Sequence, residues 1–190
     1  MKSKDIFGFM INPFTRIAGW QAFGLGLVFV IFMGIIGSYS NVSFNGALDV
    51  HFVQHMTLIS SFSLLAIDII SLVLVMWIAG LILSKGFRFI DILGTMTLAK
   101  APLIIIAFAG YFNHSIDQNK IPEHPLEMFQ SISFIVLIIL SIFITIWNVT
   151  LIYNAFRISC DVKGSKSTVA FIIGLLVAEA ISQIAIYKLM

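Results

Sequence analysis

Five long apolar segments, separated by short polar ones, make up most of the chain. They cover residues 18–38, 56–83, 92–112, 131–156 and 168–187. Each provides about 20 or more predominantly apolar residues, which is the length an α-helix needs to cross a bilayer. The pattern therefore predicts an all-α membrane protein with five transmembrane helices in residues 18–190 and no separate soluble domain.

The composition supports this class and excludes several others. Of the 190 residues, 59% are hydrophobic and only 11% are charged, against about 25% charged in an ordinary soluble domain. A soluble fold of this length has too little interior to hide so much apolar surface. The net charge of +2 gives no reason to expect nucleic acid as a partner. The lipid bilayer is the expected surrounding of the chain.

Catalytic chemistry is not indicated by any motif in the sequence. The chain contains no Walker loop, no glycine-rich dinucleotide fingerprint, no HExxH and no GxSxG. The single cysteine, Cys160, excludes an intrachain disulfide framework and leaves two options, lipid attachment or an idle thiol. We therefore expect a non-enzymatic protein without a cofactor.

The distribution of lysine and arginine along the chain predicts its orientation in the membrane. Eight of the eleven lie in residues 1–17, 84–91 and 157–167, which share one side of a five-span arrangement. Because cytoplasmic segments carry an excess of basic residues, the N-terminus is predicted to be cytoplasmic and the C-terminus external. Residues 1–17 are rich in apolar side chains and are expected to lie in the cytoplasmic interface.

Three ionisable residues, Asp68, Lys100 and Glu179, fall inside the predicted spans. A charged side chain is costly among lipid tails, so each is expected to face protein or water. At about 1.5 Å per residue, Lys100 and Glu179 lie at the most similar depths. They are the better depth match for a pair, with Asp68 as a further member through the long lysine stem or through water. The sequence leaves open whether Lys100 and Glu179 pair. Together with Asn148 of the fourth span, these residues form the predicted polar cluster.

Small residues predict close helix packing on the fifth span. Ala170, Gly174, Ala178 and Ser182 recur at every fourth position, which makes a ridge that a neighbouring helix can approach closely. That helix belongs either to this chain, the option we favour, or to a second copy.

The third span is predicted to be kinked. Gly94 and Pro102 flank Lys100 and two threonines, and a proline removes a backbone donor from a helix. The freed carbonyls either contribute to a small polar site or are satisfied by neighbouring helices.

All four histidines are expected on the external side. His51 and His55 are four residues apart, as in a helical two-ligand metal clip, and His114 and His124 lie in the next external loop. No dense ligand motif accompanies them. They are weak metal candidates, and no bound metal is expected.

Several short motifs together make the chain resemble the Yip-domain family of Rab-GTPase-interacting multispanning proteins. They are Asn12-Pro13-Phe14, the basic turn over 84–89, Gly94 followed by Pro102, the stretch 147–156 and the turn over 163–167. The resemblance implies five helices, a cytoplasmic N-terminus and a role in organising membranes or their protein partners. The chain lacks the acidic Asp-Leu-Tyr-Gly-Pro signature of eukaryotic members. This favours a bacterial relative in the inner membrane over a Golgi or endoplasmic reticulum protein.

Two functions follow as expectations. The first is a non-enzymatic membrane protein of the Yip-domain type, which organises lipids, a membrane-protein partner or a second copy through helix contacts. The alternative is a small secondary transporter or proton pathway that uses Asp68, Lys100 and Glu179. Under the first, the polar cluster only fixes helix register; under the second, it carries an ion.

Overall fold

A computed structural model of the chain describes residues 8–46, 48–112 and 132–189. Its principal elements are the helices α1 Gly19–Ser40, α2 Leu58–Leu83, α3 Phe89–Ala99, α4 Ile104–Phe112, α5 Ile132–Ser159 and α6 Ser165–Leu189, and the strands β1 Val42–Phe44 and β2 Val50–Phe52.

The structure confirms five helices that are long and apolar enough to cross a membrane. The third consists of α3 and α4, joined by the 3-10 turn Ala101–Leu103. Several bounds extend beyond the apolar runs, because polar residues at a helix end can still cap or continue the helix. The start of α2 differs: the helix begins two residues inside the apolar run, and the Thr57 hydroxyl caps it by accepting a hydrogen bond from the backbone N–H of Ser60 at 3.1 Å.

The third span lies at the centre of the bundle and is the most buried of the five. It packs against α1, α5 and α2, whereas α6 packs mainly against α2. Close approach to α1 depends on glycine: a Cβ at Gly26 would lie 2.6 Å from the backbone nitrogen of Leu98. The two ends of the bundle differ. The turn end contains the start of α1 and the connections 84–88 and 160–164, and the hairpin end contains β1 and β2.

The described residues include a β-hairpin that the all-α prediction lacked. β1 and β2 are antiparallel, with Ser43 opposite His51. All of β1 is buried, and it packs against α1, α2 and α4. Asn45-Gly46, between two segments of alternating polarity, is a strong hairpin signal in a sequence. The predicted helices are therefore joined by one structured loop that enters the bundle.

The outer surface of the bundle is apolar, and its interior carries the polar side chains. Ile139, Phe143 and Ile146 of α5 are each more than 60% exposed, whereas Asp68 and Lys100 are fully buried. A soluble protein has the reverse arrangement. The distribution of side chains thus fits a multi-pass membrane protein.

Candidate functional site

A fully buried ion pair between Asp68 and Lys100 lies inside the bundle. The Lys100 Nζ donates a hydrogen bond to Asp68 Oδ1 at 3.1 Å and lies 2.8 Å from Oδ2, which it contacts as an ion pair. Both side chains have no exposed surface. Such a pair compensates charges that would be very unfavourable alone in a low-dielectric interior.

The break in the third span places Lys100 at this position. α3 ends at Ala99, and Pro102 lies in the 3-10 turn that follows. The Asn148 Nδ2 donates to the Ala99 carbonyl at 2.9 Å, which satisfies a backbone acceptor near the break. Lys100 follows the last residue of α3, where the negative end of the helix dipole favours a cation. The predicted kink at Pro102 is therefore confirmed, and Asn148 supports the break from α5.

The ion pair forms with Asp68, the residue that depth counting had ranked second. Counting residues along straight helices treats Lys100 as a point on its helix axis. Its flexible four-carbon stem instead carries the ammonium group away from the backbone. The structure thus confirms that the lysine stem reaches Asp68.

Glu179 binds the tip of the hairpin. Its Oε2 accepts a hydrogen bond from the backbone N–H of Leu48 at 3.0 Å, and a Cβ at Gly46 would overlap its carboxylate. Glu179 lies ten residues before the end of α6, which is about 15 Å along the helix. The hairpin tip thus contacts α6 well inside the helix rather than at its end.

A chain of polar contacts leads from Glu179 to the surface at the hairpin end. The Gln183 Nε2 lies 3.1 Å from Glu179 Oε1 and 3.4 Å from Asp49 Oδ2. Asp49 Oδ2 lies 3.3 Å from His51 Nδ1, and the side chains of Asp49 and His51 are 45% and 43% exposed. We call Gln183, Asp49 and His51 the surface chain.

The small-residue ridge of α6 is covered by α2 of the same chain. Gly174, Ala178 and Ser182 are buried, and a Cβ at Gly174 would lie 3.4 Å from the Met76 sulfur. Ala170 is half-buried. The intramolecular option for this ridge therefore describes the contact seen in the structure.

Gly94 is not part of the kink. It lies inside α3, where a Cβ would overlap the Gly19 carbonyl oxygen and lie 2.9 Å from the backbone nitrogen of Phe23. Its assignment to the kink was wrong. A glycine in a helix can permit either a bend or the close approach of a second helix, and Gly94 permits close approach. Sequence spacing alone does not separate them.

The histidines do not form the predicted helical clip. His51 lies on β2, and its Nε2 is 3.0 Å from the Asn45 side chain. His55 lies beyond that strand and is exposed, so the four-residue spacing does not place the two rings on one helix face. Within residues 8–46, 48–112 and 132–189, no group of three or more potential metal ligands occurs. His114 and His124 lie outside the described residues.

Cys160 is fully buried where α5 ends. A Cβ at Gly80 would lie 2.6 Å from its sulfur, so the thiol packs directly on α2. Burial raises the pKa of Cys160 to about 12. Because the thiolate is the reactive form of cysteine, the structure favours an idle thiol over a lipid attachment site.

The N-terminal segment is attached to α5, a contact that sequence reasoning missed. The Trp147 Nε1 donates to the Met10 carbonyl at 3.0 Å, and the Asn154 Nδ2 donates to that of Ile11 at 3.1 Å. Phe14 is buried in the core. Two of the motifs quoted above, at 12–14 and 147–156, therefore lie against each other. The signal in the sequence was the pair Trp147 and Asn154, two polar side chains two helical turns apart on one face of α5, where a partner segment can be bound.

Comparison with protein-family models, with curated proteins and with solved structures found no match to this chain. The resemblance to the Yip-domain family stays a prediction.

Proposed function

We propose that the protein is a small non-enzymatic transporter that takes up protons at the hairpin end, holds them in the cluster of Asp68, Lys100 and Glu179, and releases them on the other side of the membrane. The observation that carries the proposal is the line of polar contacts from the half-exposed His51 and Asp49, through Gln183, to Glu179. Ionisable residues arranged in this way are typical of proton relays in membrane proteins.

Charge balance explains why the polar cluster would take up a proton. It contains one lysine, Lys100, and two carboxylic acids, Asp68 and Glu179. With all three ionised, the cluster has one excess negative charge, which is unfavourable where few water molecules solvate it. A proton on one of the acids removes that charge.

Glu179 is the residue proposed to exchange the proton with the surface chain. Its carboxylate contacts both the hairpin tip, at Leu48, and Gln183. An amide does not titrate near neutral pH, so water beside Gln183 is needed to pass the proton to Asp49. Protonation of Glu179 would also weaken its hydrogen bond to Leu48, because a charged acceptor binds more strongly than a neutral one. Proton uptake and hairpin release are thus coupled.

The proposal includes an orientation and a membrane. With the N-terminus in the cytoplasm, the hairpin end faces outward and protons enter from outside. The basic residues of the turn end favour this direction, and the resemblance to bacterial relatives favours the inner membrane. The organising role implied by the same resemblance remains a prediction.

A flux assay tests the proposal. The purified protein is placed in liposomes that contain a pH-sensitive dye, and a potassium gradient with valinomycin drives protons across the membrane. We expect the wild type to acidify or alkalinise the lumen faster than protein-free liposomes. Glu179→Gln should reduce flux to the protein-free rate, because the amide holds a similar shape but does not exchange a proton.

Asp161→Asn is the matched control. It also replaces an acid by its amide, but Asp161 is exposed at the turn end. Its backbone φ of 49° suits asparagine. Flux equal to wild type is expected. Asp49→Asn, at the half-exposed entrance, provides a second test if Glu179→Gln fails to fold. Wild-type flux in a folded Glu179→Gln protein, or no flux in the wild type, would overturn the proposal.

A further inference from the structure

An apolar groove of about 430 Å³ lies on the outside of the bundle. Its lining comes from the N-terminal segment, α1, the third span and α5. The break in the third span contributes Ala101 and Pro102 to this lining. This size falls within the range of ligand pockets, roughly 300–1,000 Å³.

The length and direction of the groove match a single acyl chain. It begins near Pro13 and Ile17 at the turn end and continues along α1 to Phe29. Phe29 is ten residues into α1, so the groove extends about 15 Å along the helix axis. Its lining is apolar, and the one polar group among its side chains, the Trp147 Nε1, is already bonded to Met10. Nothing in the lining would attract a polar solute.

A positive charge lies at the turn end of the groove. The exposed Arg16 guanidinium is 6.0 Å from the ring centroid of Phe9, which lines the groove. Arginine binds phosphate oxygens through two parallel hydrogen bonds, and basic residues beside a membrane attract anionic lipids. We propose that the groove binds one acyl chain of an anionic phospholipid, with its phosphate held by Arg16.

The headgroup contact is essential to this inference. Lipid tails gain little from replacing other lipid tails, because both surroundings are equally apolar. Selective and lasting occupancy therefore depends on the charge of Arg16 and on the shape of the groove. The site is independent of the proposed proton path, so it can be tested separately.

Native mass spectrometry provides the test. The protein is reconstituted in bilayers of equal amounts of phosphatidylglycerol and phosphatidylcholine, released in mild detergent, and its bound lipids are counted. We expect one retained lipid per protein, predominantly phosphatidylglycerol. Arg16→Gln should abolish the preference for phosphatidylglycerol. Lys163→Gln, which removes an exposed positive charge at the same end but outside the groove lining, should keep it.

A groove-filling variant separates this site from general lipid adhesion. Ala101→Trp should fill the groove and remove the retained lipid, and Leu25→Trp, also in the lining, offers the same test if the first variant fails to fold. The inference is overturned if the wild type retains no lipid or equal amounts of both. It is also overturned if Arg16→Gln keeps the preference, or if a folded tryptophan variant retains lipid as the wild type does.

Discussion

Lys100 is a large cation with no exposed surface, held by contacts from two other helices. Asp68 of α2 neutralises its charge, and Asn148 of α5 binds the carbonyl that precedes it. Removing one partner of such a pair leaves the other charge buried and uncompensated. The pair should therefore show strong energetic coupling.

Lys100→Met is expected to lower the free energy of unfolding by about 3–5 kcal/mol, because it leaves the Asp68 carboxylate unpaired. The double variant Lys100→Met with Asp68→Leu should be more stable than Lys100→Met alone, since both charges are then gone. Denaturation in sodium dodecyl sulfate, followed by circular dichroism, measures the difference. If the loss of unfolding free energy in the double variant equals the sum of the losses in Lys100→Met and in Asp68→Leu, the two residues are not coupled.

The same double variant distinguishes the two interpretations of the cluster. If Asp68 and Lys100 only fix helix register, restored stability should be accompanied by restored function. If they accept the transported proton, stability returns and flux stays lost. The liposome assay, applied to the stability-matched double variant, gives the answer.

At the scale of helices and strands, glycine decides how closely the third span approaches α1. Gly26 and Gly94 face the backbone of the opposite helix, whereas a Cβ at Gly24 would meet nothing within 4 Å. All three look alike in the sequence. Only the contact partner shows which of them has a packing role.

Gly94→Ala is expected to destabilise the protein by about 1–3 kcal/mol, because the added methyl group collides with backbone that cannot rotate away. Gly24→Ala is the matched control in the same pair of helices, and it should be neutral or stabilising by up to about 1 kcal/mol. Unfolding of both variants in the same detergent titration provides the comparison. Equal losses in the two variants would show that α1 and α3 do not pack as described.

The hairpin is the element that sequence reasoning overlooked. The sequence contains the Asn45-Gly46 turn signal, but the short segment around it lies between two strongly apolar runs whose helical pattern dominates. The signal indicates a turn and gives no indication that its tip reaches Glu179. That contact depends on a long-range hydrogen bond from Leu48, which no local pattern encodes.

For the molecule as a whole, an arrangement of five spans predicts termini on opposite faces of the membrane, and the basic residues predict which face is cytoplasmic. A green fluorescent protein fused to the N-terminus is expected to fluoresce, and alkaline phosphatase fused to the C-terminus is expected to be active outside the cytoplasm. The reciprocal fusions serve as controls and should be inactive. The orientation would be contradicted if, at the C-terminus, fused green fluorescent protein fluoresced and fused alkaline phosphatase was active as well. It would also be contradicted if only the reciprocal fusions were active.

The sequence by itself determined that the chain has five segments long and apolar enough to span a membrane, and that the third breaks at Pro102, because apolar run length and the missing proline donor act locally. It also identified which side chains would be unfavourable in lipid. Only the tertiary structure decided that Lys100 pairs with Asp68 and that Glu179 binds the hairpin. These contacts join residues far apart in the chain, and they depend on helix neighbours and side-chain reach, which residue spacing does not specify.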